Sequence, residues 1–274
     1  MILGIDIGGT TTDIVGFNRH QVKGFLSVSA DDPLASASGA LGKFLNTHKL
    51  SLADIDSIAV TGVGATYLSG DLFGIPVSPV DEFMAIGMGG LFLARVDTAI
   101  VVSMGTGTAI VRAEHQSAQH LGGTGIGGGT LIGLAKYMLQ VTDFSTLIEM
   151  AQQGSLSNVD LTIGDIASTD IGNLPLDATA SNFGKHNDKA SPNDLALGII
   201  NLVCQNIGTS AIFASQNSGI KTIVLTGKLT RLPQTSGIFK RLARLFPFTF
   251  LIPEKSEFST AVGAAYTHYL NIKS

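Results

Sequence analysis

Glycine comes in clusters along this chain, and most of the clusters adjoin a short apolar run. They are Gly8-Gly9, Gly62-Val63-Gly64, Gly87 to Gly90, Gly105-Thr106-Gly107 and Gly122 to Gly129. The 33 glycines among 274 residues are roughly twice the ordinary usage of ~7%. They follow no fixed period, which excludes a collagen-like helix and a solenoid. Glycine beside Thr and Ser at the end of an apolar run brings backbone N–H groups close to something. Phosphate is the leading candidate.

Two of these clusters sit inside the same local pattern. Ile2 to Ile5 reads as a strand, Gly8-Gly9-Thr10 as a polar turn, and Ile14 to Phe17 as a returning strand. Near residue 100 the pattern recurs: Thr98 to Met104, the turn Gly105-Thr106-Gly107-Thr108, then Ala109 to Val111. Between them a helix starts at Asp32-Pro33, Ile58 to Val60 is a buried strand, and a helix runs from about Glu82 to Ala94. After the second hairpin come helices at Gly128 to Leu139 and near Phe144 to Gln152. A polar connection at Asp165 to Asp194 surrounds Asn182-Phe183-Gly184, and a long apolar helix follows it. Strands at Thr222 to Leu225 and Phe248 to Ile252 precede a last helix from Ser259 to Leu270. The economical fold is α/β, with two lobes of one plan and a cleft between them. The boundary falls at Arg95-Val96-Asp97, giving lobes 1–96 and 97–274, with the last helix free to pack back on the first lobe.

Composition excludes several classes. With 45% apolar residues and a net charge of −4, the chain buries a core and is not disordered. Lys and Arg number 17 against 21 Asp and Glu, so no surplus positive charge meets a nucleic-acid backbone. The single cysteine, Cys204, cannot form an internal disulfide or a self-contained metal cluster, and in an apolar helix it reads as a core residue. The most apolar stretch, Leu195 to Ala214, contains Asn201, Gln205, Asn206, Thr209 and Ser210 and reads as a buried helix, with no membrane partner expected. The first residues show no signal-peptide pattern, so the expected location is the cytoplasm.

Asp6-Ile7-Gly8-Gly9-Thr10-Thr11-Thr12 suits a nucleotide's terminal phosphates, with Asp6 holding Mg²⁺ directly or through water. A plain hairpin turn with a capping aspartate is the competing reading. Gly105 to Thr108 is the same device in the second lobe, and two such turns can grip one polyphosphate from both sides. A Walker loop is absent, and the Gly125 to Gly129 run lacks the acidic partner of a dinucleotide fingerprint. That run opens onto a helix, which favours an anion site over a flexible hinge. Asp81-Glu82, after Pro76 and Pro79, is the best-placed carboxylate pair for general-base work, although acidic residues at a helix start often serve only its dipole. His115 and His120 read as residues of a surface hairpin, and Lys240-Arg241 with Arg244 as a solvated helix face.

With these turns placed, the chain resembles the actin and sugar-kinase superfamily of ATPases, and within it the type II pantothenate kinases. The residues that carry the likeness are Gly4 to Thr10, Val80-Asp81-Glu82-Phe83, Gly105 to Thr108, Gly122 to Gly129, Thr142-Asp143-Phe144, Asn182-Phe183-Gly184 and Phe258 to Ala264. The resemblance implies a two-lobed, actin-like (ribonuclease H-like) fold with the nucleotide in the cleft. It implies ATP- and Mg²⁺-dependent phosphorylation of pantothenate, the first step of coenzyme A synthesis, by a homodimer. Glu82 falls on the general base. Asp6, Gly8, Gly9, Thr10, Thr11, Thr12 and Asp13 fall on the first phosphate segment and Thr106 on the second. Gly128, Gly129, Thr130, Leu131 and Ile132 line the nucleotide site, with Phe144 beside it and Lys228 at a further nucleotide contact.

Two positions depart from that pattern: Asp13 stands where the family carries lysine, and His120 where it carries arginine. Both remove fixed positive charge. A histidine in the cleft would support the reaction only when protonated, so activity is expected to fall as pH rises; if His120 instead faces solvent, Arg112 or Lys136 would supply the charge. The competing functions are a kinase of the same superfamily acting on another small hydroxyl substrate, and a nucleotide-binding regulator that has lost turnover. A sugar kinase would need a central aspartate base, and a radical-enzyme activator would need cysteines for a shared cluster; neither pattern is found.

Overall fold

β1 (Ile2–Ile7) and β2 (Thr11–Asn18) pair antiparallel around the Gly8–Thr10 turn, with Asp6 opposite Asp13 and Ile7 opposite Thr12. This register sorts the side chains by face. Leu3, Ile5, Ile7 and Ile14 turn to one side, where α1 (Pro33–His48) covers them. Asp6 and Asp13 turn to the other. The computed structural model describes residues 1–18, 21–29, 32–68, 70–185, 188–216 and 218–273.

A third strand, β3 (Gln21–Ser29), extends the hairpin and sets Ser27 opposite Asp13. β4 (Ser57–Thr61) joins β1 in parallel, β5 (Asp71–Leu72) forms an edge, and β6 (Ile75–Pro79) lies parallel to β4. The order is β3-β2-β1-β4-β6-β5. α1 begins where expected because the Asp32 carboxylate accepts the Ala35 N–H at 2.7 Å and proline fills the first helical position.

The second sheet repeats the plan. After α2 (Glu82–Ala94), β7 (Thr98–Met104), β8 (Thr108–Glu114) and β9 (Ser117–Thr124) form the antiparallel unit. α3 (Gly128–Leu139), α4 (Phe144–Gln152), the short pieces β10 (Leu161–Thr162), α5 (Ile163–Ile166) and β11 (Thr179–Ser181), and α6 (Pro192–Ser215) follow. β12 (Thr222–Thr226) then joins β7 in parallel. α7 (Pro233–Leu245) leads to β13 (Thr249–Leu251), and α8 (Ser259–Lys273) closes the chain. The order β13-β12-β7-β8-β9 reproduces β6-β4-β1-β2-β3.

The two lobes exchange helices across the expected division at residue 96: the last helix packs back on the first lobe, as the sequence reading allowed, and α2 crosses the other way. α2 belongs to the first lobe by sequence, yet it covers the second sheet: a Cβ on Gly87 would lie 2.8 Å from Ala118 Cβ, and one on Gly90 2.5 Å from Val101 Cγ1. α8 in turn covers the first sheet, where a Cβ on Gly4 would collide with the Ala261 carbonyl oxygen. The two helices also press on each other, since a side chain at Gly89 or Gly263 would strike the backbone of Ser259 or Ala85. Glycine is required there because the backbones touch.

The other face of the second sheet carries the larger core, in which Leu131, Leu147, Cys204, Ile207 and Phe239 are buried. α6 is long and apolar enough to cross a membrane by length and composition, but it runs through this core. Its Asn201 explains one polar interruption: it donates to the buried carboxylate of Asp160 at 2.7 Å, which also accepts from Asn182 Nδ2 at 3.1 Å and the Phe183 N–H at 3.0 Å. Asn182-Phe183-Gly184 is therefore a structural anchor. Arg241 corrects the expected solvated face, because it is half-buried and donates to Asn201 Oδ1 at 3.2 Å. Arg244 stays exposed and pairs with Asp177.

Candidate active site

The first glycine turn is closed by the Gly8 N–H donating to the Thr11 carbonyl at 3.0 Å, which leaves Gly9 and Thr10 exposed at its tip. A Cβ on Gly9 would meet nothing within 4 Å, so backbone can be approached closely there. Asp6 ends β1 immediately below. Gly62, at φ +89°, gives it room, since a Cβ there would lie 2.5 Å from Asp6 Oδ1. Burial, then the charge of Asp13, then that of Glu82 push the Asp6 carboxyl up to about 8, with Lys228 opposing. Three carboxylates therefore share one electrostatic neighbourhood.

The fourth member of that neighbourhood comes from the other lobe. β12 ends in Gly227, at φ +88°, whose position against the Met104 carbonyl admits no Cβ. That turn sends Lys228 across the cleft, where its Nζ lies 2.6 Å from Asp13 Oδ1 and 3.3 Å from Ser27 Oγ. The ammonium also stands 5.0 Å from the centre of the Phe258 ring. Arg112, by contrast, pairs with Glu114 two residues along its own strand, and Lys136 lies near the exposed Tyr137 ring. Lys228 is the cation that reaches the carboxylates.

Glu82 is the first residue of α2. The helix starts there because Asp81 caps it, accepting the Met84 N–H at 2.8 Å. Asp81 is thus occupied as a cap, and Glu82 is the carboxylate left facing the cleft. Its pKa is raised, first by partial burial and second by the Asp81 charge. His120 lies flat on Phe83, with ring centroids 3.9 Å apart and planes within 13°. The histidine is exposed, but the stack fixes it beside the start of α2, which departs from a plain surface hairpin. His115 does sit on the hairpin turn, at φ 50°.

The Fumble family model matches residues 94–243, more than half of the chain. The chain belongs to the Fumble family. A protein from Staphylococcus aureus (strain USA300) named type II pantothenate kinase is 29% identical over 283 residues, covering 97% of this chain and 99% of its own. One of the same name from Bacillus cereus (strain ATCC 14579) is 27% identical over 241 residues, covering 82% of each. Among solved structures, the activator of the 2-hydroxyisocaproyl-CoA dehydratase from Clostridium difficile, with bound ADPNP, superposes with a TM-score of 0.69 at 18% identity. It covers 100% of this chain and 97% of that one. That likeness identifies the fold as the two-lobed actin-like ATPase fold. Cys204 lies inside the core, where burial pushes its thiol up to about 12.

In this Fumble-family chain the second glycine turn and the glycine run pack on each other. Gly128 N–H donates to the Gly105 carbonyl at 2.8 Å and Gly129 N–H to that of Thr106 at 2.9 Å. Thr108 Oγ1 donates to the Ile126 carbonyl at 2.7 Å, and Thr130 Oγ1 to that of Gly125 at 2.9 Å. These contacts correct the expected anion site at the start of α3, because the two leading N–H donors are already paired with the turn. What the run does instead is brace the turn, leaving Thr106 exposed at its tip. Leu131 is fully buried in the core, while Ile132 and Phe144 are only partly buried against it. Thr12 is likewise corrected: its hydroxyl is buried on the α1 side of the sheet, opposite Asp6 and Asp13. Asp13, at the end of the first phosphate segment, is held by Lys228. Ser27, Phe83 and Phe258 were not visible as site residues, because only the β3 register, the stack and the cation contact bring them in.

Proposed function

We propose that this chain transfers the terminal phosphoryl group of ATP to the primary hydroxyl of pantothenate, giving ADP and 4'-phosphopantothenate. The observation that carries it is that Asp13, Glu82 and Lys228 all act on Asp6 beside the first glycine turn, with Lys228 delivered from a turn that packs against Met104, just before the second glycine turn. The names of the relatives over nearly the full chain supply the acceptor, and the ADPNP in the like-folded activator supplies the nucleotide. Glu82 accepts the hydroxyl proton as the oxygen attacks phosphorus, and burial with the neighbouring Asp81 charge makes it a stronger base than an ordinary glutamate. Gly9, Thr10 and Thr11 on one side, and Thr106 on the other, hold the phosphates, with Gly8 closing the first turn through its N–H to the Thr11 carbonyl. Gly128, Gly129 and Thr130 shape the nucleotide site by bracing that second turn. Ile132 and Phe144 border the nucleoside. His120, lying flat on Phe83, adds a donor at the acceptor side.

Among the described residues no three His, Cys, Asp or Glu side chains assemble as a metal site. One carboxylate crowded by two others fits Mg²⁺ all the same, because this ion usually takes one or two protein carboxylates and completes its shell with phosphate and water. Asp6 would hold it. When bound, Mg²⁺ would neutralise phosphate charge during transfer. The family resemblance supports a cytoplasmic homodimer.

The test is ADP release by the purified protein with ATP and Mg²⁺, comparing pantothenate with glucose, glycerol and pantetheine. Pantothenate should stimulate release far above the others. Stimulation by another hydroxyl compound alone would reassign the acceptor, and nucleotide binding without release would favour a regulator.

A further inference from the structure

Asp13 and Lys228 are 215 positions apart in sequence and belong to different lobes. Asp13 is 4% exposed and directly opposite the partly buried Asp6, so the hairpin sets two carboxyl groups side by side. Such a pair is destabilising unless a cation lies against it. An ammonium has three N–H donors. Asp13 and Ser27 take two of Lys228's, and Phe258 shields one flank of the group. The side chain is still 30% exposed, so one side of the ammonium remains accessible.

We propose that Asp13 is a positioning residue: it fixes Lys228 across the lobe boundary so that the third N–H meets the terminal phosphate of the nucleotide. The cation then comes from the second lobe and is in place only when the lobes are together. A diphosphate lacks the group that this N–H addresses. This inference rests on the kinase reading above and gives it a specific chemical consequence, a preference for triphosphate over diphosphate set by Asp13.

The experiment is calorimetric binding of ADPNP and of ADP, both with Mg²⁺, to wild type, Asp13→Asn, Lys228→Met and the reciprocal exchange Asp13→Lys/Lys228→Asp. Circular dichroism confirms that each variant is folded. Asp13→Asn and Lys228→Met should each cut the ADPNP-over-ADP preference about tenfold, the scale of one charge-assisted hydrogen bond. The exchange should recover part of it, since a cation and a carboxylate again face each other across the lobe boundary. A residue that only stabilises the hairpin would lower the melting temperature and leave the ratio alone. An unchanged ratio in folded Asp13→Asn overturns the inference while leaving the kinase reading intact. If Asp13→Asn does not fold, an unchanged ratio in Lys228→Met overturns it equally. Wild-type protein that binds neither nucleotide overturns both.

Discussion

Asp6 costs the free protein stability, and that cost is measurable. Its carboxyl titrates at about 8 in the fold against 3.8 for the ordinary group. A raised acid favours folding while neutral, so its contribution is complete below about pH 4 and is lost as pH rises through about 8. Asp6→Asn should therefore raise the melting temperature of the free protein at pH 8, by about 2–4 °C for each kcal/mol relieved. The gain should be smaller at pH 5.5, and a lower melting temperature at pH 8 would contradict the crowding. Glu82 obeys the same chemistry with a different readout. It must be ionised to act, so kcat should rise with pH through its raised pKa. Asp81→Asn keeps a good helix cap but removes the neighbouring charge, and should move that acid limb to lower pH. An unmoved limb would show that Asp81 does not act on Glu82. His120 was legible as a departure, but its setting was not, because nothing in the sequence pairs it with Phe83 thirty-seven positions earlier. His120→Arg should raise turnover at pH 8 relative to pH 6.5, whereas superimposable profiles for the arginine, alanine and wild-type proteins would remove it from the reaction.

At the scale of elements, the hairpins, the parallel strands and the starts of α1, α2, α3 and α4 were readable because each carries its own local signal. Asp32-Pro33 and Asp81 cap their helices, and the apolar runs stop at glycine turns. Which sheet a helix covers is different information. α2 and α8 exchange lobes through non-local contacts, and Gly87, Gly89, Gly90 and Gly263 were the available signs of close helix approach. The glycine run before α3 was misread for a related reason. A row of N–H groups at a helix start looks like an anion site until the second turn is seen to occupy two of them. Gly127→Ala tests the bracing role, since the added Cβ would lie 2.5 Å from the Thr106 carbonyl oxygen. Displacing that turn should weaken ADPNP binding about tenfold or more, the scale of a lost charged hydrogen bond, with helix content retained. Unchanged affinity would mean that the turn does not hold phosphate.

For the molecule as a whole, the repeat of the β1-β2 hairpin in β7-β8 was visible because both use the same residue types, whereas β3, β6 and β9, which complete the doubled plan, were not read from the sequence. The connection that makes the two halves one site was not visible. Lys228 reaches Asp13 only after β12 has placed Gly227 against Met104, and no spacing in the sequence encodes that distance. In the proposed site, two glycine turns hold phosphate, Glu82 at a helix start is the base, and the opposite lobe lends the cation Lys228. The most direct measurement of what they do together uses ATP labelled in its terminal phosphate, with pantothenate and Mg²⁺, for wild type and Glu82→Gln. The label should appear in 4'-phosphopantothenate in equal amount to ADP with the wild-type protein. It should fall about 10²–10⁴-fold with Glu82→Gln while ADPNP still binds. Label released only as free phosphate, or transferred equally well by both proteins, would contradict the account.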